Sequence, residues 1–184
     1  MVPLSKAPVL RGERVTLRPW RAADRAPFAA LNADPVVMEH LPAVMAPDES
    51  DTFVDRLEVE FDDVGFGLWA VEVVGGAPFI GYVGLHRAPE SVPFAPAVEV
   101  GWRLAHEHWG NGYATEGARA AIDFGFREAR LDEIVSFTVP ANVRSWHVME
   151  RLGMTRDPAD DFDHPVLPAG HRLRRHVLYR IRRP

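Results

Sequence analysis

The sequence predicts a mixed α/β fold in which a central sheet is covered by helices on both faces. Two features of the pattern predict it. Several segments with strand-like alternation of apolar residues follow one another directly, and farther along the chain two strand-like segments are each followed by a helical pattern. At 184 residues the chain has the length of one domain with a sizeable core, so we expect residues 1–184 to form a single domain.

The first half of the chain begins with strand-like alternation over residues 14–20. A short helix is expected next, with Asp24 as its cap, because a side-chain oxygen at this position can accept from the first-turn amides. A second helix follows, capped by Asp48 or Ser50. Its apolar residues recur at helical spacing: Phe53, Leu57 and Phe61.

Three strands are expected in the middle of the chain. Residues 67–74 and 79–86 are rich in apolar and aromatic residues, and Gly75-Gly76 between them is typical of a hairpin turn. A proline-rich loop covers residues 88–97, and residues 98–104 form the next strand.

A long helix is predicted directly after Gly112, within residues 105–130. Small and apolar residues recur along one of its faces, which permits close packing against a sheet: Ala114, Ala118, Ala121, Ile122, Gly125 and Phe126. The opposite face is expected to be solvated and carries charged residues: Glu116, Arg119, Asp123 and Arg127.

The last third of the chain predicts a buried strand over residues 133–139 and a further helix, which is capped by Asn142 and ends at Gly153. An acidic loop over residues 157–170 then leads to the last strand, residues 173–181. The chain is therefore expected to hold about six to seven strands and about four helices.

Composition excludes several classes of function. The chain has no cysteine, so disulfides, thiolate catalysis and cysteine-based zinc sites are excluded. A net charge of −5 argues against a nucleic-acid binder that works by bulk electrostatics, and no apolar stretch approaches the length of a membrane helix. The N-terminal segment, broken by Pro3 and Pro8, does not resemble a signal peptide. We therefore expect a cytoplasmic protein with no nucleic-acid or membrane partner.

Residues 109–116, WGNGYATE, carry the strongest functional signal in the sequence. Gly110 and Gly112 let the backbone turn tightly and let a ligand approach it, and the helix that follows presents unpaired N–H groups with a partial positive charge. This combination predicts a site for phosphate or pyrophosphate. A P-loop is excluded because the motif has no lysine, and a dinucleotide fingerprint is excluded because Thr115 replaces its third glycine.

Two motifs lie at a spacing that is specific in combination. The first is EVGWRL at residues 99–104, followed by WGNGYATE. The second is NVRS at residues 142–145, followed by VMERLGM at residues 148–154. Together they resemble the GNAT superfamily of N-acetyltransferases, and most closely its branch of ribosomal-protein N-terminal acetyltransferases. The resemblance extends from Arg11 to Tyr179 and implies the GNAT fold, with a mostly antiparallel, splayed mixed sheet.

The resemblance implies acetyl-CoA as the acetyl donor and a primary amine as the acceptor. A homodimer is compatible with the family, and the sequence leaves the oligomeric state open. The pyrophosphate of acetyl-CoA would lie on the backbone amides from Gly110 to Ala114, and backbone N–H groups of residues 102–104 would stabilise the oxyanion. The expected cofactor-binding residues are Trp102, Arg103, Leu104, Trp109, Gly110, Asn111, Gly112, Tyr113, Ala114, Thr115, Asn142 and Ser145.

Glu99 is the leading candidate for the base that takes the proton of the amine. It lies on the strand beside the expected acetyl site, and its side chain alternates away from that of Val100. The alternative is a residue of the sheet face that pairs with an arginine. Glu39, Glu72 and His86 are weaker candidates for the base.

Ser145 is the candidate for donating a proton or a hydrogen bond to the leaving thiolate. Many members of the family carry a tyrosine four residues later, where this chain has Met149, which cannot donate. Either Ser145 serves in this role or no side chain does, and its alternative role is that of a helix-start residue. Asn142 is the N-cap residue of the same helix, a contact to the cofactor, or both.

The acceptor stays open, because acceptor pockets are built from variable loops. A protein N-terminus, a free amino acid, a polyamine and an aminoglycoside are all compatible with the motifs. No metal site is expected, and the roles of His164, His171 and His176 are undetermined. The alternative function is a regulatory or sensor module of the same fold that binds acetyl-CoA with little or no turnover.

Overall fold

The computed structural model of the protein describes residues 8–184. Its helices are α1 Arg25–Ala33, α2 Pro47–Val64, α3 Tyr113–Arg127 and α4 Val143–Arg151. Its strands are β1 Leu10–Arg11, β2 Val15–Arg18, β3 Leu68–Val73, β4 Gly81–Arg87, β5 Val98–Leu104, β6 Glu133–Thr138, β7 Thr155–Arg156, β8 Phe162–Asp163 and β9 Arg175–Arg182. The signal-peptide prediction concerns in large part residues 1–7, which lie outside the described residues.

Within these residues the strands form a nine-stranded sheet in the order β1-β2-β3-β4-β5-β6-β9-β7, with β8 paired to β9. Neighbouring strands are antiparallel except β5 and β6, which are parallel. Six strands have four or more residues and correspond to the six predicted segments, whereas β1, β7 and β8, with two residues each, are too short for an alternating pattern to predict. The mostly antiparallel mixed sheet and its four helices confirm the predicted fold class.

Successive residues of β4 show that helices cover both faces of the sheet, because neighbouring side chains of a strand point to opposite faces. The ring centroid of Tyr82 lies 6.0 Å from those of Phe28 in α1 and Phe53 in α2. Val83 faces the other way, toward Gly117 of α3, where an added Cβ atom would come within 3.3 Å of the Val83 side chain. The small residues of α3 thus permit the close packing against the sheet that the sequence predicts.

Asp24 is the N-cap residue of α1, as predicted, but its side chain makes no capping hydrogen bond to that helix. The Asp24 carboxylate instead accepts from the guanidinium of buried Arg18 at 2.7 and 2.8 Å, and from the backbone N–H of Arg21 at 2.8 Å. A buried guanidinium needs a paired carboxylate more than an exposed helix start needs a cap. This tertiary contact has no signature in the local pattern.

The second helix begins differently from the prediction, because its N-cap residue is Ala46 and both Asp48 and Ser50 lie inside its first turn. The Glu49 carboxylate accepts from the Ala46 backbone N–H at 2.7 Å. Ser50 is fully buried, and its hydroxyl accepts from the Asn32 side chain at 2.9 Å. Ser50 therefore joins α1 to α2 instead of capping a helix.

The other predicted turns agree with the structure. The Gly76 N–H donates to the Val73 carbonyl in the turn between β3 and β4. Gly153 follows α4 with a φ of 81°, as a residue after a helix C-terminus often does. In the described part of the chain, no helix combines the length and the apolar character needed to cross a membrane.

Candidate active site

A cleft opens in the sheet where β5 and β6 diverge. These two parallel strands are paired at Glu99 and Val135 and then separate. The cleft has a volume of about 410 Å³ and is bounded by the two strands, the loop before α3, the start of α4 and residues 36–41. Twelve of the thirteen site residues predicted from the sequence line it: Glu99, Trp102, Arg103, Leu104, Trp109, Gly110, Gly112, Tyr113, Ala114, Thr115, Asn142 and Ser145.

The backbone of β5 offers hydrogen-bond donors to this cleft. The Ala105 N–H donates to the Ile80 carbonyl, on the β4 side, at 2.9 Å. Because backbone groups alternate along an antiparallel pair, the N–H groups of Trp102 and Leu104 point away from β4 and toward the gap beside β6. Donors at this place can stabilise an oxygen that develops negative charge.

The glycine loop enters α3 through two left-handed residues. Gly110 and Gly112 have φ of 79° and 80°, a conformation that other residues rarely adopt. Gly112 is the N-cap residue, so the N–H groups of the first helical turn have no partner within the helix. The first-turn residues line the cleft: Tyr113, Ala114 and Thr115. This end of the cleft is therefore suited to an anion such as phosphate.

Hydrogen bonds from three side chains to backbone carbonyls hold the conformation of the glycine loop and the segment before it. Arg14 Nη1 donates to the Asn111 carbonyl at 2.9 Å, and Asn111 Nδ2 donates to the His108 carbonyl at 3.1 Å. The indole N–H of Trp109 donates to the Leu104 carbonyl at 2.8 Å. Asn111 is the predicted site residue that does not line the cleft, and its contacts support the loop from behind.

Glu116 occupies the inner side of the first turn of α3, so the prediction of a solvated position for it is wrong. Its carboxylate accepts from the backbone N–H groups of Arg14 at 2.6 Å and Val15 at 3.1 Å, and from Arg14 Nε at 2.8 Å. Burial raises the pKa of Glu116, but these donors outweigh burial and hold the pKa below its ordinary value. The helical pattern does not reveal that β2 passes beside this turn.

The start of α4 carries two of the predicted site residues. Asn142 Oδ1 accepts from the Ser145 backbone N–H at 3.4 Å, which confirms Asn142 as the N-cap residue. Asn142 Nδ2 donates to the Thr138 hydroxyl at 3.0 Å, so this side chain ties α4 to β6. Ser145 faces the cleft, whereas Met149, only 1% exposed, lies in the core and does not line the cleft.

Glu99 forms a pair with a histidine and not with an arginine. Its Oε2 lies 3.1 Å from Nε2 of His86, the residue opposite it on β4. The two side chains are 13% and 27% exposed, respectively, and both line the cleft. Burial lowers the pKa of His86, but the carboxylates of Glu99 and Glu60 and the backbone of Arg87 outweigh burial, so the pKa is raised.

The other candidates for the base differ in position. Glu72 binds Arg18 at 2.9 Å and Arg21 at 3.2 Å, and it does not line the cleft. Glu39 does line the cleft, but its side chain is 59% exposed. A carboxylate that is enclosed at the wall of the cleft is thus found at Glu99 and not at these two positions.

Several residues of the cleft wall were not anticipated from the sequence: Tyr82, Ser136, Thr138 and Arg144. Tyr82 lies on the same face of β4 as His86, so the period-two pattern of a strand carries a signal for it. Arg144 lies over the indole of Trp109 at 5.0 Å from the ring centroid. Ser136 and Thr138 have no such signal, because the sequence does not show that β6 borders a cleft.

Two of the three undetermined histidines belong to a buried aromatic cluster. The rings of His164 and His176 lie 5.2 Å apart, and His176 stacks on Phe162 at 5.4 Å. Burial lowers the pKa of both histidines. His171 lies outside this cluster, where its Nδ1 accepts from the Leu173 backbone N–H at 3.1 Å.

Comparison with known proteins agrees with the fold. A family profile described as an acetyltransferase (GNAT) domain matches residues 14–155. An uncharacterized protein of Bacillus subtilis, YkkB, is 32% identical over 143 residues, which cover 77% of this chain and 82% of that protein. An Aspergillus fumigatus protein named FsC-acetyl coenzyme A-N(2)-transacetylase is 30% identical over 156 residues, which cover 80% of this chain and 65% of that protein. A solved acetyltransferase structure from Agrobacterium tumefaciens is 28% identical, with a TM-score of 0.77 over 96% of this chain and 95% of that chain. The chain therefore belongs to the GNAT family of acetyltransferases.

Proposed function

We propose that the protein transfers the acetyl group of acetyl-CoA to a primary amine by direct attack of the amine on the thioester. One observation carries this proposal, namely that a single cleft joins the glycine loop before α3 to the Glu99–His86 pair. Donors for phosphate lie at one end of the cleft, backbone N–H groups of β5 along its wall and a proton acceptor at the other end.

Acetyl-CoA is the donor that suits this cleft. The first-turn amides of α3 and the two left-handed glycines offer its pyrophosphate a close approach to the backbone. The gap between β5 and β6 has room for the arm that carries the thioester, beside Asn142 and Ser145. The name of the Aspergillus fumigatus relative, an acetyl coenzyme A transacetylase, also supports this donor.

The proposed reaction uses three groups of the cleft. The amine nitrogen bonds to the thioester carbonyl carbon, and Glu99, held by His86, accepts the proton that the amine loses. The N–H groups of Trp102 and Leu104 stabilise the oxyanion. The carbon–sulfur bond then breaks, and the Ser145 hydroxyl donates a hydrogen bond to the departing thiolate.

A sensor that binds acetyl-CoA without turnover is the second candidate function. The observation that favours it is the side chain at position 149, because Met149 lies in the core and no tyrosine donor stands there. Ser145 then has to supply the donor alone, or the thiolate leaves without one. The difference between the two functions is therefore amine-dependent release of CoA.

The deciding experiment measures free CoA with a thiol reagent after acetyl-CoA and a panel of amines are added. The chain has no cysteine, so the protein adds no thiol background to this readout. The panel contains a short peptide with a free N-terminus, free amino acids, a polyamine and an aminoglycoside, and calorimetry reports acetyl-CoA binding separately. Amine-dependent CoA release is the expected result. Binding of acetyl-CoA with no release above hydrolysis for any amine would favour the sensor.

A further inference from the structure

Arg103 lies in the cleft wall on the same sheet face as Glu99, and it is held there by three contacts. Its Nη1 donates to Asn32 Oδ1 at 2.6 Å. Its guanidinium carbon lies 5.4 Å from the ring centroid of Tyr82 and 5.7 Å from that of Phe53. These contacts leave most of the five guanidinium N–H donors available to a ligand.

The hydrogen-bond partner of Arg103 is itself fixed in the core. Asn32 is fully buried, and its Nδ2 donates to the hydroxyl of fully buried Ser50 at 2.9 Å. The backbone carbonyl of Asn32 accepts from the backbone N–H of Met45 at 3.0 Å. Asn32 is therefore locked between α1, α2 and the segment that joins them, and it presents its Oδ1 to Arg103 in one orientation.

Arg103 has no carboxylate partner among the ion pairs formed by residues 8–184. Bringing a guanidinium partly out of water without an acid costs free energy, which a bound anion can offset. We expect the phosphates of the donor, which are proposed to bind at the glycine loop, to lie away from Arg103. Arg103 points to the face of the sheet that α1 and α2 cover, whereas the helix that follows the glycine loop, α3, packs against the opposite face.

One face of β5 carries Glu99, Gly101 and Arg103, because side chains of successive residues in a strand point to opposite faces. The Cα atoms of Glu99 and Arg103 lie about 13 Å apart at the usual rise of a strand. Between them Gly101 leaves open space, since only the His86 ring lies within 4 Å of the place where a Cβ atom would stand. The carboxylate of Glu99, the unobstructed space at Gly101 and the guanidinium of Arg103 thus follow one another along this strand.

We propose that Arg103 binds a carboxylate of the acceptor, so that the acceptor is a free amino acid and not a protein N-terminus or a polyamine. The two charges are complementary to those of a zwitterion, with the amine toward Glu99 and the carboxylate toward Arg103. Guanidinium and carboxylate groups form paired, charge-assisted hydrogen bonds in such geometry. This inference rests on the proposed acetyl transfer and names the substrate class of the same site.

The test compares free amino acids with their amides in the CoA-release assay. Alanine, phenylalanine and glutamate are each set against the corresponding α-amide, and glutamate α-amide, which keeps only its side-chain carboxylate, separates the two sources of a carboxylate. For the wild type we expect kcat/KM to be about ten- to a hundredfold higher for carboxylate-bearing acceptors, the worth of a hydrogen-bonded charge pair. Arg103→Gln should bring the ratio of kcat/KM for an acid to kcat/KM for its amide close to one, whatever the change in turnover common to both, and Arg103→Lys should restore part of the ratio.

The matched control is Arg56→Gln. Arg56 also lies over the Phe53 ring, at 5.6 Å, but it is exposed on α2 and does not line the cleft, so this variant should keep the preference. Equal turnover of acids and amides by the wild type would overturn the inference even if Arg103→Gln failed to fold. So would faster turnover of a polyamine or of an amidated peptide, although acetyl transfer itself would then stand. If no class of amine gave CoA release above hydrolysis, the proposed function and this inference would both be overturned.

Discussion

Glu99 is the residue on which the proposed chemistry depends most, and replacing it tests the base directly. Glu99→Gln keeps the size of the side chain and an oxygen for the His86 contact but removes the proton acceptor. We expect kcat/KM for the amine to fall by about 10²–10⁴-fold, with the largest loss at low pH, where the amine is most fully protonated. Acetyl-CoA affinity, measured by calorimetry, should be unchanged.

The matched control for this change is Glu39→Gln, which neutralises a carboxylate that lines the cleft but is largely exposed. It should leave the rate close to that of the wild type. A pH–rate profile that is the same in Glu99→Gln and in the wild type would remove Glu99 from the mechanism.

Ser145 is the second residue with a role that one substitution can test. Ser145→Ala should lower kcat toward the small end of the range for a positioned acid, about 10²-fold, with a modest rise in the KM for acetyl-CoA. Stability should barely change, because the Ser145 backbone N–H, and not its hydroxyl, bonds to Asn142. Asn142→Ala is the control, and it should lower the free energy of unfolding by about 1 kcal/mol through the lost cap. A wild-type rate in Ser145→Ala would leave the thiolate without help from this hydroxyl.

At the scale of elements, the start of α3 is the part of the site that is most open to a charge test. Thr115→Glu places a carboxylate in the first helical turn, where it stabilises the helix but repels phosphate. We expect the melting temperature without ligand to be unchanged or raised, and its increase with acetyl-CoA to be largely lost. Val59→Glu, at a 59% exposed position of α2, adds the same charge elsewhere and should keep the increase. An undiminished ligand effect in Thr115→Glu would place the phosphates away from this turn.

The elements also show where sequence-based prediction succeeds and where it stops. The long strands, α3 and the Asn142 cap follow from local periodicity and local hydrogen bonding, which the chain displays directly. The roles of Asp24 and Glu116 do not, because each depends on an arginine of another element: Arg18 of β2 for Asp24, and Arg14, 102 positions away in the sequence, for Glu116. The divergence of β5 from β6, which creates the cleft, is likewise a property of strand pairing and has no signature in either strand alone.

Across the whole molecule, the partly buried His86 and His176 give stability a dependence on pH with two opposing contributions. Burial lowers the pKa of His176, so the unfolded state binds more protons below its ordinary pKa of 6.5, and stability falls there as pH falls. The pKa of His86 is raised despite its burial, so its contribution is full below 6.5 and is lost as pH rises through the folded value.

Urea unfolding at about pH 5.5 and about pH 8 separates these contributions, because a shifted pKa changes stability only across its own window. His176→Phe keeps the stacking on Phe162 and should make the protein lose less stability at the acidic pH than the wild type does. His86→Gln should do the opposite, with a larger loss at the acidic pH. Identical differences between the two pH values in all three proteins would contradict the assignment of these shifts.

The contact between Arg14 and Glu116 joins residues 102 positions apart in the chain, and it supports the very loop that begins α3. Closing so long a segment costs entropy, so the contact between Arg14 and Glu116 depends on the fold to bring β2 beside the first turn of α3. A nascent or truncated chain could hold α3 and its glycines and still lack the shaped loop. We therefore expect the proposed acetyl-CoA site to be complete only in molecules in which the N-terminal edge of the sheet is in place.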